Sequence, residues 1–373
     1  MMARHRGMAS GMTIGIVGAG KMGVTIATLL ESCAFCTAVA LADVRTGSRI
    51  DGLDKASSAR FDAQRGGALA AFVKRCDAIV SAVPYFLNRR IVEACARARV
   101  AYFDLTEDVA TTTLVRTLAA ETKGVTFIPQ CGLAPGAINI VGGALAASLD
   151  SVRSVEMRVG ALPQFASNQM KYYLSWSTAG LINEYCQLGE ALHEGQRIAT
   201  LPLDGVERLT IDGVEYEAFN TSGGVATMCE TFAGKVGELN NKTMRYPGHR
   251  DLMKFLLQDL NLAGQQELLR QIFDQEVPLT DHDVVVFYVS AVGKSGGELV
   301  QRSFVKKIRG DTVGGRKLSA IQLSTAAGVV AVLELFARGA VAKSFVKQES
   351  ITFDEFLSTQ WGGRVYGGEA LQP

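Results

Sequence analysis

Between residue 13 and about residue 145 the chain alternates short, wholly apolar runs with stretches of helical spacing. Residues 13–17, 38–42, 78–83, 100–105 and 125–129 predict strands, and residues 22–30, 68–73 and 90–98 predict helices. A strand with no polar side is covered on both faces, which is the condition of parallel strands joined through helices. The expected architecture is a doubly wound (Rossmann) α/β sheet.

From about Ser151 the pattern changes. Residues 152–161 alternate like a half-buried strand, 210–219 read as a hairpin around Asp212-Gly213, and 283–292 with 297–309 read as two more antiparallel strands. Helical spacing appears at 179–185, 251–257 and 265–273. This predicts an inserted α+β domain over 151–315. Residues 318–337 then form one long apolar helix returning to the first domain, and 351–357 are amphipathic. The expected division is a flexible tail over 1–12, a first domain of 13–150 with 316–373, and the insertion between them.

Composition adds exclusions. The 373 residues suit about two domains, and 48% hydrophobic with 20% charged residues excludes a disordered chain. Lys plus Arg total 38 against 37 for Asp plus Glu, with no basic block, so neither a nucleic-acid partner nor a polybasic membrane anchor is expected. The longest uncharged run, 124–149, contains Pro129, Gln130, Pro135 and Asn139 and reads as core, not as a membrane span. The N-terminus MMARHRGMASGM lacks the apolar stretch of a signal peptide, so a soluble, cytoplasmic protein is expected. Cys33 and Cys36 form a C-x-x-C without a second pair, read as reduced thiols packing a helix end, and four scattered histidines predict no metal site.

Gly18-Ala19-Gly20-Lys21-Met22-Gly23 is a G-x-G-x-x-G between a strand and a helix. Gly18 permits the tight turn, Gly20 lets the backbone approach a pyrophosphate, and Gly23 allows close helix–strand packing. The helix start at Lys21 and Met22 turns N–H groups toward the phosphates. Asp43, twenty residues beyond Gly23, ends the second strand, where an acid accepts from ribose hydroxyls and favours NAD; Arg45 keeps NADP open. Ala82 and Pro84, after the next strand, either let backbone pass near the nicotinamide or simply end the strand.

Ligands of this architecture lie beyond the carboxyl ends of the strands. Asp104, Thr106, Glu107 and Asp108 follow one strand and can hold a cation, or form the N-cap run of a helix. Residues 132–136 follow the next. In the insertion, Arg245 beside Tyr246 suits bidentate recognition of a carboxylate or a surface ion pair. Trp176 is a core residue or a ligand contact, and His249 an acid/base or a helix cap.

These residues carry a resemblance to the saccharopine dehydrogenase-like family, and within it to the lysine 6-dehydrogenases. Its markers are GAGKMG at 18–23, the G-L-A-P-G-A-I-N-I loop at 132–140, L-S-W-S at 174–177 followed by Glu184-Tyr185, Y-E-A-F at 216–219 and T-M-R-Y-P-G-H at 243–249. The resemblance implies a nicotinamide cofactor, an inserted substrate domain and a homodimer. It also implies that Trp176 and Arg245 contact an amino-acid substrate. The activity it implies is oxidation of L-lysine at the ε-carbon, with Arg245 and Tyr246 at the carboxylate, Asp104, Thr106 and Glu107 at an amino group and His249 as base. A saccharopine-type or opine reductase, or a non-catalytic dinucleotide sensor, are the alternatives.

Overall fold

The computed structural model describes residues 11–44, 50–63 and 66–368 and divides the chain into two units. The first holds the described residues up to Cys131 together with Val329–Val346; the second holds Gly132–Gly328 and the described residues from Lys347 onward.

In the first unit β1 (Met12–Val17), α1 (Lys21–Glu31), β2 (Cys36–Asp43), β3 (Ala56–Arg60), α2 (Gly66–Val73), β4 (Ala78–Ser81), α3 (Asn88–Ala98), β5 (Ala101–Asp104), α4 (Val109–Glu121) and β6 (Phe127–Ile128) alternate. The sheet is wholly parallel in the order β3-β2-β1-β4-β5-β6, with β1 at the point where the order reverses. This is the doubly wound fold the apolar runs predict, and that reversal is where such sheets bind nucleotides. Ile14, Ile16, Val39, Leu41, Ile79, Val80 and Phe103 are completely buried, as strands covered on both faces must be. Three details differ from expectation. Met12, assigned to the tail, opens β1, while residues 1–10 lie outside the described residues. β3 reads A-S-S-A-R, and its polarity fits a half-exposed edge strand. In α4 three consecutive threonines hide the helical spacing, and the start is set by Asp108, whose Oδ2 accepts from Thr111 N at 2.7 Å.

The second unit opens with α5 (Ala137–Ala147) and contains β7 (Ser151–Pro163), α6 (Thr178–Cys186), β8 (Gly189–His193), β9 (Gln196–Thr200), β10 (Glu207–Ile211), β11 (Val214–Asn220), α7 (Met228–Phe232), β12 (Val236–Arg245), α8 (His249–Lys254), α9 (Gln266–Glu276), β13 (Asp283–Ser295) and β14 (Glu298–Arg309). A hairpin of β15 (Asp311–Val313) and β16 (Arg316–Leu318) precedes α10 (Ala320–Ala337), and α11 (Phe353–Leu357) and α12 (Gln360–Tyr366) follow. The main sheet runs β10-β11-β12-β7-β13-β14, antiparallel except for the β12–β7 pair. The α+β insertion is therefore present, but its limits are wider than 151–315. Residues 132–150 belong to it because α5 packs on β7 and β13, and Asn139 Nδ2 donates to Gly224 O and Val225 O. Only Val329–Val346 returns to the first unit, where Phe127 N donates to Ser344 O and Val346 N to Phe127 O. α10 has the length and apolar character of a membrane span, yet 72% of it is buried inside the protein, as in a core helix.

Candidate active site

The glycine loop has the shape of a phosphate cradle. Gly18 has φ +103°, and a Cβ there would stand 2.4 Å from Ala82 O. A Cβ on Gly23 would stand 1.8 Å from Gly18 O, so any side chain would push α1 off the loop. Around Gly20, by contrast, a Cβ would meet nothing within 4 Å, and this glycine caps α1 without a side-chain acceptor. The loop is thus closed where protein meets protein and open where the helix start, Lys21 and Met22, faces outward. Asp43 ends β2, and its Oδ2 accepts from Ala19 N at 2.8 Å, which ties the acid to the loop. Ala82 N donates to Val17 O at 2.8 Å, so the backbone after β4 lies directly against the glycine turn. Pro84 is exposed and starts a short turn at Tyr85–Leu87. Arg45 lies outside the described residues. These residues fit a nicotinamide dinucleotide, with Gly20 and the α1 start at its pyrophosphate and Asp43 at its ribose.

Asp104, the acid that ends β5, is not free to hold an amine. Asp104 is 0% exposed, and its carboxylate is fully engaged: Tyr102 Oη donates at 2.8 Å, Gln130 N at 2.9 Å and Thr106 N at 3.0 Å. Burial raises its pKa to about 6, against those hydrogen bonds. It is a structural acceptor that ties the ends of β5 and β6 together. Thr106 is buried, with its Oγ1 accepting from Asp108 N at 3.1 Å, and belongs to the N-cap run of α4. Glu107 is half-buried in the same turn.

Arg245, the last residue of β12, is only 2% exposed. Nε donates to Tyr185 Oη at 2.9 Å and Nη1 to Met244 O at 2.9 Å, and the guanidinium carbon lies 5.1 Å from the centre of the Tyr172 ring and 5.8 Å from that of Tyr185. No Asp or Glu among the described residues forms an ion pair with it, so the surface ion-pair reading falls. His249, the first residue of α8, is 0% exposed. Its Nδ1 stands 2.9 Å from Met170 O, which can only accept, so Nδ1 carries the proton. Nε2 is then an acceptor, and Tyr185 Oη donates to it at 3.1 Å. Burial, followed by the Arg245 charge, lowers the His249 pKa to about 3. With both nitrogens occupied and the ring held neutral, His249 is not the general base; it is the end of a chain, Arg245 to Tyr185 to His249 to Met170, that fixes the guanidinium.

Trp176 is half-buried, its Nε1 donating to Tyr172 Oη at 3.1 Å, and Gly180 leaves room for its ring. It therefore stands one residue removed from Arg245, through Tyr172. Tyr246 points the other way: residues alternate across a strand, and its ring stacks on Tyr216 while Oη donates to Pro163 O at 3.0 Å. Tyr246 is a packing residue of the opposite face. The Y-E-A-F marker also has a structural role, since buried Glu217 accepts from Gly248 N at 3.0 Å and from Arg250 N at 2.7 Å and so sets the turn into α8.

Residues 14–128 match the family model of the saccharopine dehydrogenase NADP binding domain, and residues 132–355 that of the saccharopine dehydrogenase C-terminal domain. The chain belongs to the saccharopine dehydrogenase family. That makes it an amino-acid dehydrogenase with a dinucleotide-binding domain, and the seam between the two matches falls where the two units divide, at Cys131–Gly132. Among solved structures it is similar to apo saccharopine dehydrogenase (L-Glu forming) from Saccharomyces cerevisiae, with 14% identity, a TM-score of 0.73 and coverage of 93% of this chain and 95% of that one, a likeness of fold. A more distant likeness, with 12% identity, a TM-score of 0.47 and coverage of 94% and 97%, is to DAP dehydrogenase of C. glutamicum in complex with DAP.

Within this family member the residues that hold Arg245 were open to sequence reasoning only in part. Tyr185 and its neighbour Glu184 sit in a family marker, but nothing in their spacing announces a contact with a strand sixty residues away. Tyr172 lies beside a stretch without any motif, and only the fold brings it over the guanidinium.

Proposed function

We propose that the protein oxidises L-lysine at its ε-carbon with NAD as hydride acceptor. The observation that carries this reading is Arg245, a buried guanidinium held by the Tyr185 hydroxyl and a backbone carbonyl and joined to no carboxylate among the described residues. A buried cation is costly unless paired, and a planar fork of this kind is matched by a ligand carboxylate. Lysine is chosen over a saccharopine-type substrate on two grounds. The R-Y-P-G-H and A-P-G-x-x-N markers favour it, and a condensation product needs a second carboxylate site. The second unit's other buried arginine, Arg158, is already taken by Glu207. NAD is chosen on Asp43, because an acid at the end of the second strand repels a 2′-phosphate.

In the reaction the ε-ammonium loses a proton and the ε-carbon then gives a hydride to the nicotinamide, the one step the cofactor supplies. Water adds to the resulting imine, ammonium leaves, and the semialdehyde closes on its own α-amine with loss of water. The chain's residues bind and orient: Arg245 holds the α-carboxylate, while Tyr185 and His249 keep its plane fixed. Since His249 is neutral at every working pH, no inflection between pH 5 and 8 should come from it. The rate should instead climb toward the amine's reference pKa of about 10.4. The test is a panel of amino acids, alone with NAD or NADP and together with a 2-oxo acid and the reduced cofactor, followed by the absorbance of reduced nicotinamide. Lysine with NAD, with kcat/KM rising through pH 9, is the expected result. Turnover only with a 2-oxo acid and reduced cofactor, or a bell centred near neutrality, overturns the reading.

A further inference from the structure

Tyr185, which holds Arg245, is preceded on α6 by Glu184, and Glu184 is only 9% exposed. Its Oε1 accepts from Thr243 Oγ1, and Thr221 donates in turn to Thr243 Oγ1 at 2.8 Å. Among the described residues no donor reaches Oε2, and no Lys or Arg pairs with the carboxylate. Thr243 and Arg245 are two apart on β12, so they share one face at about 7 Å along the strand. Consecutive residues of α6 thus grip alternate residues of β12, Tyr185 on Arg245 and Glu184 on Thr243. A buried anion and a buried cation lie on one face without bonding each other, each with a hydrogen-bonding atom to spare. Glu184 is close enough for its charge to favour the protonated state of Arg245. A fold that merely had to neutralise the two would join them.

We infer that Glu184 and Arg245 together form the subsite for the α-carbon end of an amino acid, with Glu184 taking the α-ammonium and Arg245 the α-carboxylate. This rests on the reading of Arg245 given above, and it moves the amine-holding role from Asp104 and Glu107 to Glu184. It also explains why the ε-end reacts. An amine held as ammonium by a carboxylate has no lone pair with which to form an imine, so the α-carbon keeps its hydrogen while the distant amine can lose its proton.

The test compares lysine with 6-aminohexanoate, which lacks only the α-amine, in calorimetric binding to the whole protein and in turnover. The wild type should bind lysine more tightly than 6-aminohexanoate. Glu184→Gln, which keeps an acceptor for Thr243, should weaken lysine about ten- to hundred-fold and leave 6-aminohexanoate unchanged. Thr243→Val, which leaves the carboxylate but removes its support, should shift the same preference in the same direction by less. Equal losses for both ligands, or a wild type without any preference for the α-amine, overturn the subsite. If lysine is not turned over at all, 2-aminoadipate and adipate make the same comparison: an α-amine preference lost in Glu184→Gln then supports the subsite although the lysine reading has failed, and its absence refutes both.

Discussion

Two arginines are buried in the same sheet and treated in opposite ways. Arg158 on β7 is 1% exposed; its Nε and Nη2 meet the carboxylate of Glu207, Nη1 donates to Asn240 Oδ1 at 2.7 Å and to Met157 O at 2.8 Å, and Glu156 stands 3.7 Å from Nη2. Lys242 joins Glu207 at 2.8 Å, and although burial works the other way, the two cations hold the Glu207 pKa below the usual carboxylate range. Arg245 on the neighbouring strand has aromatic rings, a hydroxyl and a carbonyl instead. Register explains the separation. Arg158 pairs with Lys242, so Arg158, Asn240 and Lys242 share one face, while Thr243 and Arg245 share the other. On one face the fold bonds the guanidinium to a carboxylate; on the other the described residues form no ion pair with Arg245, although the acids Glu184 and Glu217 are buried near it. Burial of a charge alone says nothing about function; the missing partner does.

The comparison is tested most strongly by removing each arginine. Arg158→Met should destabilise the second unit by about 3 kcal/mol, because it strands a carboxylate that lost its main partner. The value sits at the low end for a buried pair, since Glu207 is 34% exposed and keeps Lys242. In a domain of this size the midpoint of thermal unfolding should fall by about 6–12 °C, with the affinity for amino acid unchanged. A variant as stable as the wild type would show that the Glu207 network contributes nothing.

Arg245→Met should behave in reverse. Losing a charge-assisted hydrogen bond to a desolvated carboxylate costs about 1.5–3 kcal/mol, so KM for the amino acid should rise about ten- to hundred-fold while dinucleotide binding stays as it was. Thermal stability should fall by less than in Arg158→Met, because Arg245 forms no ion pair among the described residues, although the buried Glu184 loses a nearby cation. A large fall in midpoint with an unchanged KM would make Arg245 a structural residue and erase the contrast with Arg158.

The same contrast shows how far the sequence could be read. The parallel sheet was legible because its strands are apolar throughout, and the glycine loop because each glycine answers a steric demand. β12 was not legible, although it is central to the second sheet. It reads V-G-E-L-N-N-K-T-M-R, and Asn241, Thr243 and Arg245 occupy buried positions where alternation would look for apolar side chains. The strand that carries the site lost its hydrophobic period to the residues that make the site. Asp104 and His249 failed for a related reason: their types suggested chemistry, but the fold had committed their polar atoms to Gln130, Thr106 and Tyr102 in one case and to Met170 and Tyr185 in the other. Arg245 could be singled out as a cation beside family markers, whereas the absence of an ion pair to it among the described residues could only be seen once the chain was folded.

The smallest expected effect concerns the neutrality of what surrounds Arg245. In an unfolded chain His249 titrates near 6.5, while in the fold burial and then the Arg245 charge hold it down to about 3, with only the Met170 carbonyl pulling the other way. Between those values the unfolded chain binds a proton that the folded chain refuses, so acid favours unfolding. The stability this histidine contributes is complete above about pH 6.5 and is lost as the pH falls toward 3. Its loss at pH 5.5 relative to neutrality is about 1 kcal/mol. Unfolding the wild type and His249→Gln in denaturant at pH 7.0 and at pH 5.5 isolates it, because every other titrating group is common to both proteins. The wild type should lose about 1 kcal/mol more than the variant on acidification. An equal loss would mean that His249 carries its proton in the folded protein, 5.1 Å from the Tyr172 ring and linked through Tyr185 to a second buried cation. Two positive charges would then crowd around the buried carboxylate of Glu184, and the neutral ring assigned to His249 would have to be given up.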